Sequence, residues 1–130
     1  VNGALCVGQP DFPPPKEAIE ATAEAATKGL TSYTGVTGTL ELRKAVCKYL
    51  ADEKGTPYIP EEIMVACGGK QAIYEVTMAL CEEGDEVLIP TPYYTSYPDI
   101  VKLSGATPVF VPTTPESGYC LEPAALEAAL

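Results

Sequence analysis

Between Glu62 and Thr113 the chain alternates short, continuous apolar runs with stretches whose apolar residues return every three or four positions. The runs "EIMVACGG", "DEVLIP" and "TPVFVPT" have the character of strands buried on both faces. Behind the first, "KQAIYEVTMALCEEG" places Ile73, Val76, Thr77 and Leu80 on one face of a helix starting at Lys70. Behind the second, "YTSYPDIVKLSG" reads as a helix interrupted near Pro98. Upstream, "LCVGQPDFPPP" is a short apolar run followed by a proline-rich turn, and "KEAIEATAEAATKG" is an alanine-rich helix with Gly29 just past its end. After the loop "LTSYTGVTG", Thr39 caps a helix in which Leu42, Ala45, Val46, Tyr49 and Leu50 form one buried stripe, and Gly55 closes it. Thr113 to Gly118 is a loop, and Pro123 opens a last helix.

Strands alternating with helices predict an α/β fold: a mostly parallel, doubly wound sheet with flanking helices, preceded by an N-terminal helical segment. Such sheets bind ligands beyond the carboxyl ends of their strands. "ACGGK" and "PTPYY" lie at two of these ends.

Charge and composition narrow the ligand. The 130 residues carry a formal net charge of −10, too few cations to neutralise a row of phosphates, so nucleic acid and anionic membrane are poor partners. No stretch reaches the roughly 18 apolar residues of a membrane span. Five cysteines, with no CxxC spacing, suggest reduced thiols in a cytoplasmic setting rather than a disulfide frame or a zinc knuckle. The absence of histidine removes Ser/His and Cys/His catalysis and the commonest metal ligand, so no metal is expected.

The glycine pair Gly68-Gly69 leads an apolar run into a helix that begins with Lys70. Unpaired amides and the positive end of the helix dipole suit an anion there, phosphate above all. Met64 and Gln71 stand where the Walker pattern requires Gly and Ser or Thr, and GxGxxG is absent, which argues against a nucleotide site. A plain tight turn with a solvated Lys70 also fits the spacing. Tyr93, Tyr94 and Tyr97, after Pro90 and Pro92, concentrate aromatic surface at the same rim, suited to stacking on a planar ligand or to ordinary packing.

Taken in order, "GQPDFPPP", "SYTGVTGTLELRKAV", "EEIMVACGGKQAIYEV" and "CEEGDEVLIPTPYYTSYPDIVKLSGATPVFVP" resemble the N-terminal part of fold-type I pyridoxal-phosphate aminotransferases, most nearly the aspartate and prephenate aminotransferases of the prokaryote type. The resemblance implies that residues 1–57 are an N-terminal arm and helices in a small-domain or dimer-contact segment, and that residues 58–130 begin the large cofactor-binding domain. It implies pyridoxal 5′-phosphate as cofactor, with Gly68, Gly69 and the Lys70 backbone holding its phosphate. Tyr94 stacks on its ring, and Tyr33 reaches the cofactor phosphate of the other subunit of a homodimer. Gly8 offers backbone near the substrate α-carboxylate. Lys70 faces the distal carboxylate of aspartate or glutamate, and Tyr94 contacts substrate as well. Gln9 and Tyr94 depart from the aspartate branch, which has glutamate and tryptophan there.

The implied reaction passes an amino group between an amino acid and a 2-oxo acid. The residues that would carry its chemistry, above all the Schiff-base lysine, are not matched by any motif here, so no catalytic residue is assigned and a 130-residue fragment would be inactive by itself. The chain begins without methionine and stops early in a helix, which suggests that both ends are cut and leaves an organellar leader open. Two alternatives stand: a β-lyase on the same scaffold, and a non-catalytic module whose phosphate cradle serves binding or interaction.

Overall fold

A computed structural model describes residue 8 and residues 10–130. The apolar run expected at residues 5–7 and the departure at Gln9 lie outside the described residues. The described residues fall into two compact units, one up to Gly35 and one from Val36 to Leu130.

In the first unit, α1 (Lys16–Thr27) is the expected alanine-rich helix, capped at Lys28 and followed by Gly29. Lys16 and Glu20, one turn apart, pair at 3.3 Å on its exposed surface. In the second unit, α2 (Leu40–Lys54) starts at Thr39, whose hydroxyl accepts the Leu42 N–H at 3.3 Å, and ends at Gly55 in the left-handed conformation. A short 3-10 turn, Pro60–Glu62, precedes α3 (Gly69–Leu80). Then follow β1 (Glu86–Thr91), α4 (Tyr97–Leu103), β2 (Thr107–Pro112) and α5 (Pro123–Glu127).

The strands pair in parallel, with Glu86 opposite Thr107 and Thr91 opposite Pro112. Flanking bonds extend the pairing: Thr107 N–H donates to Asp85 C=O at 2.8 Å, and Thr113 N–H donates to Thr91 C=O at 3.2 Å. α4 makes the crossover that a parallel connection requires. It packs Ile100 and Val101 inward, and with Ile89, Ala106 and Val111 these are the buried hydrophobic residues among those described. Thr77 of α3 is also buried, its hydroxyl donating to Ile73 C=O at 2.8 Å.

Four expectations are corrected. The run at residues 62–67 is extended but forms no ladder, because no neighbouring strand lies beside it among the described residues; its Val65 N–H donates instead to Thr37 C=O at 3.1 Å. The α2 stripe is not buried: Leu42 and Tyr49 are 47% and 55% exposed, and only Val46 and Leu50 are half-buried. On α3, Ile73, Val76 and Leu80 are exposed while Thr77 is not. Periodicity identifies an apolar face, but a cover for these faces is absent from the described residues. Finally, Pro98 does not interrupt a helix begun at Tyr94; it lies in the first turn of α4, where a missing N–H leaves no bond unmade.

Val111 is 1% exposed and Leu103 is 67% exposed. Val111→Ala is expected to lower stability by about 2 kcal/mol, whereas Leu103→Ala should stay within about 0.5 kcal/mol. Urea unfolding of the chain, followed by circular dichroism, checks the contrast.

Candidate functional site

The start of α3 is shaped by backbone rather than by a capping side chain. Gly68, the N-cap residue, has φ 92° and ψ 164° and supplies no side-chain cap. A Cβ at Gly68 would meet nothing within 4 Å, so the backbone conformation and not crowding demands glycine. The first helical bond runs from Ala72 N–H to Gly68 C=O at 3.2 Å. The amides of Gly69, Lys70 and Gln71 precede it and stand at the positive end of the helix dipole. The helix begins at Gly69, one residue before the expected Lys70.

Gln71 has a role that the motif reading missed. Its Oε1 accepts the Cys67 N–H at 2.7 Å, and its Nε2 donates to Glu75 Oε1 at 2.6 Å. The side chain turns back to hold the bend and leaves the three helical amides free. The available signal was a glutamine at the third helical position, the place from which a capping-box side chain reaches back.

Facing this helix start are the tyrosines that follow β1. The three do not act as one platform. Tyr93 stacks on Phe110 of β2, with ring centroids 5.1 Å apart and planes 15° apart. Tyr94 and Tyr97 form a tilted pair at 5.7 Å and 60°. Together with Gly69, Lys70 and Ile73 they line a cleft of about 290 Å³, close to the lower end of small-molecule sites, about 300 Å³. Lys70 Nζ stands 5.2 Å from the centre of the Tyr94 ring, over its face. Lys70, Gly69 and Tyr94 are thus brought together, and Gly68 adjoins them as the N-cap. Gly8 and the fully exposed Tyr33 belong to the first unit, whereas the cleft lies wholly in the second.

A neighbouring groove of about 260 Å³ shares Ile73 and Tyr97 and runs along Val87, Leu88 and Ile89 of β1. It holds no charged side chain. Of these two, the cleft at the helix start, with free amides, an ammonium and an aromatic face, carries the donors suited to an anionic, planar ligand.

Comparison with known proteins bears on the family and the fold. The family model for aminotransferase class I and II matches residues 4–130. The chain is 44% identical over 126 residues to a bifunctional aspartate aminotransferase and glutamate/aspartate-prephenate aminotransferase of Petunia hybrida, covering 97% of this chain and 26% of that protein. It is equally identical to an aspartate/prephenate aminotransferase of Cereibacter sphaeroides, covering 32% of that protein. The chain therefore spans a third or less of the length of these relatives. Among solved structures, aspartate aminotransferase from Thermus thermophilus with maleate superposes with a TM-score of 0.92 at 38% identity, over 95% of this chain and 32% of that one. An aromatic aminotransferase from Pyrococcus horikoshii does so with the same TM-score at 41% identity, covering 95% and 33%.

Substituting the two glycines should have opposite effects. Gly68→Ala forces a side chain into a left-handed backbone and is expected to cost about 1–3 kcal/mol. Gly69, in ordinary helical backbone with open space around it, should gain about 0.5–1 kcal/mol as alanine. Thermal unfolding of the two variants against the parent chain decides the point.

Proposed function

This chain belongs to the aminotransferase class I and II family, and we propose that it is the part of a pyridoxal-phosphate-dependent aminotransferase that holds the cofactor phosphate and reads the substrate side chain. The observation that carries the proposal is the convergence of Gly69, Lys70 and Tyr94 on one cleft at the uncapped start of α3. The cleft suits the group: open space stands where Cβ atoms at Gly68 and Gly69 would be, and three amides are free to donate.

Gly68 shapes the turn, the amides of Gly69, Lys70 and Gln71 donate to the phosphate oxygens, and the Tyr94 ring covers a face of the pyridine. When bound, the cofactor supplies the electron sink that lets an amino group leave one carbon skeleton and join another. Lys70 meets the distal carboxylate of aspartate or glutamate, an interaction worth about 1.5–3 kcal/mol when charge-assisted and partly dry. A planar ring taking the face that Lys70 now covers displaces the ammonium, at about 0.5–1 kcal/mol for an exposed pair. The ammonium is then free to turn toward substrate.

The remaining assignments rest on the family pattern alone. Gly8 offers backbone to the α-carboxylate, and Tyr33 reaches the phosphate bound by the second subunit of a cytoplasmic homodimer. Residues 1–57 form the arm and dimer-contact segment, and residues 58–130 open the cofactor domain. The Schiff-base lysine lies in a part of the enzyme other than these 130 residues, which alone are inactive.

The protein purified from its source and given ¹⁵N-aspartate or ¹⁵N-glutamate with a range of 2-oxo acids is expected to deliver the label to a new amino acid. No transfer to any acceptor would sink the reading, and release of pyruvate and ammonia from a cysteine conjugate would move it to a β-lyase. Within an active enzyme, Lys70→Ala should raise KM for aspartate about tenfold and leave kcat/KM for phenylalanine unchanged. An equal loss with both donors would remove Lys70 from substrate recognition.

A further inference from the structure

Arg43 is the sole arginine of the sequence, and neither the family pattern above nor the cleft gives it a role. It projects from α2, half-buried, and its Nη1 donates to Pro60 C=O at 2.7 Å. Its Nε is closed off from solvent without a hydrogen-bond partner. No carboxylate pairs with it among the described residues, where the ion pairs are Lys16–Glu20, Lys28–Glu24 and Lys48–Asp52. Leaving a guanidinium donor unmatched in a dry place is costly. An arginine serving only solubility would lie outward.

What Arg43 holds is the lead-in to the phosphate cradle. Pro60 begins the 3-10 turn, and from Ile63 the chain runs extended to the Cys67–Gly68 bend and into α3. That run has no strand neighbour among the described residues. Among the described residues, the hydrogen bonds from Pro60 and this run to distant parts of the chain are two, and both go to residues 37–43: Arg43 to Pro60 C=O, and Val65 N–H to Thr37 C=O at 3.1 Å. The second is reinforced by packing, since a Cβ on Gly38 would stand 3.0 Å from the Val65 side chain. Bonds within the run are local: Glu62 accepts the Ile59 N–H at 3.0 Å, Gly68 N–H donates to Ala66 C=O at 2.8 Å, and Gln71 accepts the Cys67 N–H. Local bonds shape the bend; they do not fix where it stands.

We infer that Arg43 is a positioning residue for the phosphate cradle, anchoring the turn at Pro60 so that the free amides of Gly69, Lys70 and Gln71 converge on one anion. The inference rests on the reading of the cleft as a cofactor-phosphate site. Arg43 does not line the cleft itself. Amides that must converge on three oxygens lose their advantage when their shared support shifts, because binding depends on preorganised geometry. The consequence is selective, touching the phosphate and sparing the ring.

The test compares pyridoxal phosphate with pyridoxal, which lacks the phosphate, as ligands of the cofactor-free protein in the form its source produces, with affinity read by fluorescence titration. The variants are Arg43→Met, which keeps the apolar stem and removes the donors, and Arg43→Lys, which keeps one donor for Pro60 C=O. Arg43→Met is expected to weaken pyridoxal phosphate about tenfold, the worth of one cradle bond, with pyridoxal changed less than about twofold. Arg43→Lys should recover most of the phosphate preference. An unchanged preference in Arg43→Met overturns the inference, as does an equal loss for both ligands. Should Arg43→Met not fold, a preference in Arg43→Lys lost as fully as one cradle bond overturns it, and a preference largely kept supports it. A parent protein that binds the two ligands alike overturns the cleft reading itself, a result distinguishable from failure of the Arg43 role.

Discussion

A parallel strand pair cannot be closed by a tight turn: the chain must leave the carboxyl end of one strand, travel back along the sheet, and enter the next strand at its amino end, on the opposite edge. Here the return path is residues 92–106, and almost everything the second unit buries lies along it or beneath it. Val101 on α4 and Ala106 at its exit pack with Ile89 on β1, and Ile100 on α4 and Val111 on β2 are buried as well. The same constraint places chemistry. Since the exit from β1 must rise at the carboxyl edge, Tyr93, Tyr94 and Tyr97 emerge there, and the start of α3 meets Tyr94 and Tyr97 across a small cleft.

Two helices in the same unit treat their first turns in opposite ways. α2 uses the Thr39 hydroxyl to satisfy an amide, the ordinary solution, worth about 1 kcal/mol. α3 forgoes it: Gly68 has no side chain to offer, and Gln71, which could reach into the turn, is committed to Cys67 and Glu75. Stability alone favours a serine or aspartate at position 68, but its backbone conformation refuses one. The free amides are therefore a consequence of backbone geometry and side-chain occupation together.

The crossover unit was legible in the sequence because each signal is local. Continuous apolar runs at residues 85–90 and 107–112 bracket a helical stretch, and both became strands. The glycine pair announced the turn into α3, and the tyrosines announced an aromatic rim. What was not legible depends on neighbours. The run at residues 62–67 is as apolar as β1, yet a strand is a relation between two backbones, and Val65 finds Thr37 instead. Leu42, Tyr49, Ile73 and Val76 read as core because periodicity states which face is apolar and is silent about what covers it. Tyr93 and Tyr94 are adjacent and chemically identical, yet one packs on Phe110 and the other opens to the cleft, a division that residue type alone does not announce. Arg43 gave no signal, since one arginine on an amphipathic helix looks like a solvated charge until its partner carbonyl is known.

With this charge balance, an anion site in this chain would have to be built from backbone. With 18 acidic against 8 basic residues, the long-range field repels an anion rather than steering it in. At physiological salt that field is screened beyond roughly 8–10 Å, so what remains at the cleft is decided at contact. There the sign reverses: the α3 dipole, three amides and the Lys70 ammonium all favour negative charge, and the electron-rich Tyr94 face nearby is covered by that ammonium. Affinity then depends on how well a few short-range donors are aimed rather than on how many cations are gathered. Anchoring the segment that aims them, as Arg43 does through Pro60, matters more to such a site than adding another lysine to its rim.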